Sequence, residues 1–202
     1  MKLNLLTILL IAAGCTPAWS TRANAEGEPW EVLTNCILIP NEYNDGDSFH
    51  VKTSNGSEKV FRLYMVDAPE TSNEFPERVG EQAAHFKCSP ERAIEGGKEA
   101  TTATAEFLKN GFTVKTKGED AMGRSAGGRT YAIVELPNGD DLGATLLKLG
   151  MARAHGRDPN NQSSAKEKAE ARKLKIPTQA QYEQLENRAR ATRAGVWSKK
   201  QE

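Results

Sequence analysis

The feature that most constrains this chain is an Asn-Gly pair, Asn55–Gly56, set between two strand-like runs. On one side, "SFHVKTS" alternates apolar and polar residues and puts Phe49 and Val51 on one face. On the other, "KVFRLYMV" is rich in β-branched and aromatic residues. Asn-Gly supplies the positive φ angles that a tight hairpin turn requires. The two runs therefore predict an antiparallel pair. In such a pair the start of the first strand and the end of the second lie at the same end of the sheet. Asp47 stands at the first of these places and Asp67 at the second. The turn predicts that two carboxylates distant in sequence meet.

The remaining patterns build around that hairpin. "EVLTNCILI" is an earlier β-rich run, so the first part of the chain reads as a three-stranded meander. From Glu74 to Gly97 the spacing of Val79, Ala83 and Phe86 predicts helix, punctuated by Pro90. "GKEATTATAEFLKNG" predicts a further helix, with Ala103, Phe107 and Leu108 on one face and Gly111 as its C-terminal glycine. "FTVKTKG" and "RTYAIVEL" read as strands. "DLGATLLKLGMA" predicts a short helix capped by Asp141, with Leu142, Thr145, Leu146 and Leu149 along one side. "AKEKAEARKLK" is a charged helix or a disordered insert, stopped by Pro177. A final helix turns Tyr182, Leu185 and Ala189 inward. This order predicts an α+β fold, mainly β: a five-stranded OB-fold barrel with about three packed helices plus an extra helical insertion.

The N-terminus reads as a targeting segment. One Lys precedes an apolar run from Leu3 to Ala13, of signal-peptide rather than membrane-spanning length. "AAGC" places small residues before Cys15 and resembles a bacterial lipobox, with Cys15 the lipidated residue; cleavage after Ser20 or Ala25 is the alternative. Both predict an exported protein, either a lipoprotein at the membrane or secreted or periplasmic. Residues 1–27 form the signal segment and linker, and residues 28–202 one folded domain. The balance of 27 Lys+Arg against 27 Asp+Glu announces no strong affinity for polyanions. Basic residues nevertheless outnumber acids after Gly150, from Arg153 and Arg157 onward, which predicts a local basic surface or a solvated helical face. Cys36 and Cys88 either pair in an oxidising compartment or stay as two thiols. No Cys-x-x-Cys or Cys/His spacing suggests zinc.

Several residues carry possible chemistry. "NDGD" is a turn by composition, yet Asp47 also offers a hard oxygen of the kind a Ca²⁺ ion selects. Asp67 is the second such carboxylate. Glu70 follows Pro69, whose fixed φ stiffens the turn and suits it to hold a general base; capping the next helix is the alternative role. Arg62 is on the same strand as Asp67, five positions earlier, so strict alternation turns it to the opposite face. A twist, bulge or bend must bring it round. Arg124 and Arg129 each follow a glycine and are loop arginines or a second guanidinium for the site. Carboxylates, a divalent cation and two guanidiniums together suit phosphoryl transfer.

"DGDSF", "FRLYMVDAPE", "GRTYAIVELPNGDDLGATLLKLGMARA" and "RAGVWS" occur in the order seen in the staphylococcal nuclease (thermonuclease) family, which the chain resembles over roughly residues 31 to 198, with insertions. The resemblance implies an OB-fold barrel and Ca²⁺-dependent hydrolysis of DNA and RNA that leaves 3′-phosphate ends. It implies that Asp47, Asp67 and the backbone carbonyl of Ala68 hold the metal, that Glu70 is the base and that Arg62 is one catalytic arginine. The second is Arg129 by its spacing to the following strand, with Arg124 as the alternative. The family's nucleotide-contacting tyrosines are replaced here by the stretch containing His155 and Arg157, which are the substrate-contact candidates. The expected partner is DNA or RNA, single-stranded or locally opened. The expected state is a monomer, with membrane contact only through a lipid at Cys15.

Overall fold

A computed structural model describes residues 28–122, 128–161 and 163–198. The segment predicted to be a signal, the predicted lipidation site Cys15, and Arg124 lie outside the described residues. Strands β1 (Glu31–Leu38), β2 (Ser48–Lys52) and β3 (Glu58–Leu63) come first, followed by a two-residue strand β4 (Val66–Asp67). Helices α1 (Pro76–Phe86) and α2 (Pro90–Leu108) follow, then β5 (Phe112–Thr116) and β6 (Thr130–Glu135). The chain continues through α3 (Leu142–Lys148), β7 (Arg153–Ala154), α4 (Ala165–Lys173) and α5 (Gln179–Thr192), and closes with a 3₁₀ turn at Gly195–Trp197.

Five strands close a barrel in the order β1-β2-β3-β6-β5, with β5 returning to β1. Only β3 and β6 pair in parallel; the other pairings are antiparallel. This is the predicted OB-type barrel. The predicted hairpin forms, β2 pairing β3 from Ser48↔Arg62 to Lys52↔Glu58, but through a longer loop in which Gly56 at φ +85, and not Asn55, takes the positive φ and the Gly56 N–H donates to the Thr53 carbonyl at 2.9 Å. β1 changes partner along its length. It pairs β5 from Glu31 to Cys36, with a register shift between Leu33 and Cys36 where Asn35 is at φ +54, and then β2 at Ile37 and Leu38. Such a bulge bends a strand enough for a small barrel to close. Phe49, Val51, Phe61, Leu63, Val114, Ala132 and Val134 fill the interior.

The helical region differs from its sequence reading at the glycines. α2 runs unbroken through Gly96 and Gly97, so the helix boundary lies at Ser89–Pro90 instead. A Cβ on Gly96 would collide with Val196, and one on Gly97 with the carbonyl oxygens of Pro69 and Glu70. The glycines let α2 pack against the C-terminal turn and against the Pro69–Glu70 corner. The charged insert is helix, α4, with a complete capping box from Ser164 and Glu167. Asp141 caps α3 as predicted, accepting from the Ala144 N–H at 2.6 Å. Leu149 is exposed rather than inward. Cys36 and Cys88 are both free thiols: Cys36 is in the barrel core, and Cys88 flanks a separate cluster of Phe86, Ala189, Val196 and Trp197.

Helix α1 is tied to the body of the molecule through Glu186 of α5. This buried carboxylate meets His85 Nε2 at 2.7 Å and accepts the Ala154 N–H at 2.7 Å. The ordered element that follows the Pro69–Glu70 corner therefore has a fixed place against the barrel.

Candidate functional site

The site is built at the end of the β2–β3 hairpin. Asp45 makes the turn that leads into β2, its Oδ1 accepting the N–H groups of Asp47 and Ser48 at 2.9 and 2.6 Å. The glycine between the two aspartates is required by close approach. A Cβ on Gly46 would sit 2.7 Å from Ala68 Cβ and 2.8 Å from Ala100 Cβ. Asp47 is thereby pressed against the segment after β4, and its Oδ2 accepts the Ala68 N–H at 2.8 Å.

The predicted third strand is two strands. β3 ends at Leu63, and Tyr64–Met65 form a turn, with Met65 in the left-handed region at φ +55, before β4 resumes. A β7 partner receives the displaced piece: Asp67 is opposite Arg153, and the Met65 backbone bonds to His155 and Arg157. This break resolves the problem of Arg62. Alternation no longer holds across it, and the Arg62 guanidinium lies between both carboxylates, 3.2 Å from Asp47 Oδ1 and 2.9 Å from Asp67 Oδ1.

Glu70 sits at the corner that follows. Its N–H donates to Gln82 Oε1 at 2.8 Å, and its carboxylate accepts from Arg78 Nε. Both partners come from α1, four residues apart and therefore on one helix face. Arg129 precedes β6, and its guanidinium reaches Ser48 Oγ at 3.0 Å, next to Asp47, and the Met122 carbonyl at 3.0 Å. One hydrogen-bonded chain thus joins Asp47, Arg62, Asp67, Ala68 and Glu70, and Arg129 reaches it through Ser48. His155 and Arg157 stand apart from this chain. Both are exposed beside the Tyr64–Met65 turn, and Arg157 is engaged by Glu119 at 2.8 Å.

The charges are unevenly balanced. Burial pushes the Asp47 carboxyl up to about 8; Arg62 works against the rise, while Asp45 and Asp67 add to it. Burial also opposes ionisation of Asp67, but Arg78, Arg153 and Arg62 outweigh it and hold that carboxyl below the usual range. Asp47, above all, keeps the Arg62 guanidinium firmly charged against its own burial.

Three residues join the site that the sequence did not single out. Arg78 donates to Asp67 as well as to Glu70. Gln82, fully buried, donates to Asp67 Oδ2 at 3.1 Å and to the Ala68 carbonyl at 3.0 Å. Arg153 is buried, not part of a basic surface, and bridges Asp67 Oδ2 at 2.8 Å to Glu81 at 2.9 Å. Arg78 and Gln82 are separated by one helical turn, directly after the Pro69–Glu70 corner. That spacing was the available signal.

The donor set suits a hard cation. Asp47, Asp67 and the Ala68 carbonyl offer oxygens only, and Gln82 and the Ala68 N–H link them into one cluster. Burial disfavours the ionised form of Asp47 even beside Arg62, and a divalent cation would stabilise that form. No group of three His, Cys, Asp or Glu side chains assembles a metal site among the described residues, so the protein would supply two carboxylates and a main-chain oxygen.

Residues 60–199, more than half of the chain, match the family model described as staphylococcal nuclease homologue. No curated protein matches the chain.

Proposed function

This chain belongs to the staphylococcal nuclease homologue family, and we propose that it is an exported, calcium-dependent, sugar-nonspecific endonuclease that hydrolyses DNA and RNA to 3′-phosphate ends. The observation that carries this reading is the placement of Arg62 between Asp47 and Asp67, with Glu70 at the next corner.

Asp47, Asp67 and the Ala68 carbonyl would hold Ca²⁺. When bound, the ion supplies Lewis-acid stabilisation of charge on a phosphate oxygen. The chain's own groups do the rest. Glu70 accepts a proton from water as the water oxygen bonds to phosphorus. The P–O5′ bond breaks, the 5′-oxygen takes a proton from solvent, and the phosphate stays on the 3′ side. Arg62 and Arg129 donate to the equatorial oxygens as negative charge builds there. Arg129 takes this role over Arg124 because its guanidinium already reaches Ser48, beside Asp47.

A second reading is a nucleic-acid-binding module without cleavage. It is favoured by the four protein donors that already surround Asp67. One assay separates the two. The protein lacking residues 1–27 is incubated with labelled single-stranded DNA and RNA, with Ca²⁺ or with EDTA. Cleavage in Ca²⁺ alone supports the nuclease; binding in both conditions without cleavage supports the module. Export rests on Leu3–Ala13 and the small residues before Cys15. The mass of the mature N-terminus distinguishes a lipidated Cys15 from cleavage after Ser20 or Ala25, and an unprocessed Met1 contradicts export.

A further inference from the structure

A carboxylate offers about four lone-pair sites, and those of Asp67 are all taken. Oδ1 accepts from Arg62 Nη2 at 2.9 Å and from Arg78 Nη2; Oδ2 accepts from Arg153 Nε at 2.8 Å and from Gln82 Nε2 at 3.1 Å. An oxygen so filled has no direction left for a cation. One donor must leave before Asp67 can act as a ligand.

The four donors are not equally free to do so. Gln82 is fully buried and also holds the Ala68 carbonyl and the Glu70 N–H. The Arg153 side chain is only 4% exposed and is held at its other end by Glu81. Arg62 is 18% exposed, and its other acceptor, Asp47, is itself in the ligand set. Arg78 is 35% exposed, and its other acceptor is Glu70, outside that set. It can release Asp67 without losing its ionic partner.

We propose that Arg78 and the divalent cation compete for Oδ1 of Asp67, so that α1 sets the calcium affinity of the site. Binding of one expels the Nη2 or the ion of the other. Arg78 displaced in this way stays on Glu70 through Nε and gains a free Nη2, a donor for a phosphate oxygen. Cation entry is then coupled to release of a third guanidinium. Arg78 in this account positions Glu70 through Nε and, once released from Asp67, meets substrate through Nη2. The inference rests on the site reading given above.

The test is calcium titration by calorimetry of wild type, Arg78→Ala and Arg78→Met, with turnover on single-stranded DNA and thermal unfolding measured alongside. Arg78→Met keeps an apolar stem on α1 if the alanine variant folds poorly. Competition predicts calcium binding about 5-fold tighter or more in both variants, the lower end of ordinary coupling between sites. It also predicts a fall in kcat, since Glu70 loses its partner. Unchanged or weaker calcium binding in a folded variant overturns the proposal. Tighter binding in the variants with no cleavage by wild type would leave the competition standing and sink the nuclease reading. Absence of calcium binding in all three proteins overturns both.

Discussion

Arg62 and Asp67 lie five positions apart and would face opposite ways on a regular strand, yet their side chains meet at 2.9 Å. The cause is the turn at Tyr64–Met65, where a non-glycine residue adopts φ +55 and ends β3. The single guanidinium then reaches Asp47 as well. Bridging needs the planar fork of arginine. Arg62→Lys preserves the charge but spans one carboxylate at a time. It should lower kcat by about 10²–10³, the scale for loss of one preorganised donor, with little change in the circular dichroism of the fold. Near-normal turnover in a folded Arg62→Lys protein would remove Arg62 from the reacting centre.

Asp47 makes the site electrostatically costly. Its ordinary pKa is 3.8, and burial raises it to about 8. Between those values the folded protein holds a proton that the unfolded chain has lost, so this group makes stability fall as pH rises. Asp67 is shifted downward, so its contribution changes only below the ordinary carboxylate range. Asn at position 47 keeps an acceptor for the Ala68 N–H and carries no charge. Thermal unfolding in EDTA should show Asp47→Asn more stable than wild type at pH 8, with the gap closing toward pH 4. Calcium-dependent cleavage should be lost. Identical pH slopes for the two proteins would contradict the assignment.

Gly97 connects helix packing to the chemistry. No side chain fits between α2 and the Pro69 and Glu70 carbonyls. Gly97→Ala must push that corner away, at about 1–3 kcal/mol for overpacking of this kind. Turnover should fall further than stability accounts for, because Glu70 moves with the corner. Chemical denaturation and kcat measured on the same sample check this. A loss of stability with kcat unchanged would show that the corner is not part of the site.

Arg129 is placed by the register of β6, which pairs Arg62 with Tyr131. Arg129→Ala should reduce kcat by orders of magnitude, and Arg124→Ala should reduce it far less. The reverse ranking would assign the second guanidinium to Arg124.

Local chemistry made part of this site legible. Asn55–Gly56 announces the hairpin, and the hairpin alone predicts that Asp47 and Asp67 share one end of the sheet, as they do across Arg62. Tertiary context hid the rest. Nothing in "LYMV" signals a left-handed methionine, so the break that turns Arg62 was not readable. α1 was legible by its buried stripe of Val79, Ala83 and Phe86, but nothing in its sequence marked Gln82, which lies on that same buried face, or Arg78 as partners of Asp67. Arg153 sits in a basic stretch, and its burial depends on Asp67 and Glu81, partners far away in sequence. Gly96–Gly97 reads as a helix stop until the residues that crowd it are known.

The most direct test of the account is turnover of Glu70→Gln against wild type, on a labelled single-stranded oligonucleotide in excess Ca²⁺. Glutamine retains the size of the side chain and the Gln82 contact to the backbone at position 70, which is made by the main-chain N–H. It cannot take the proton from water. The account predicts a folded protein whose kcat is lower by orders of magnitude while the wild type cleaves and EDTA stops it. Cleavage by Glu70→Gln at close to the wild-type rate would contradict it.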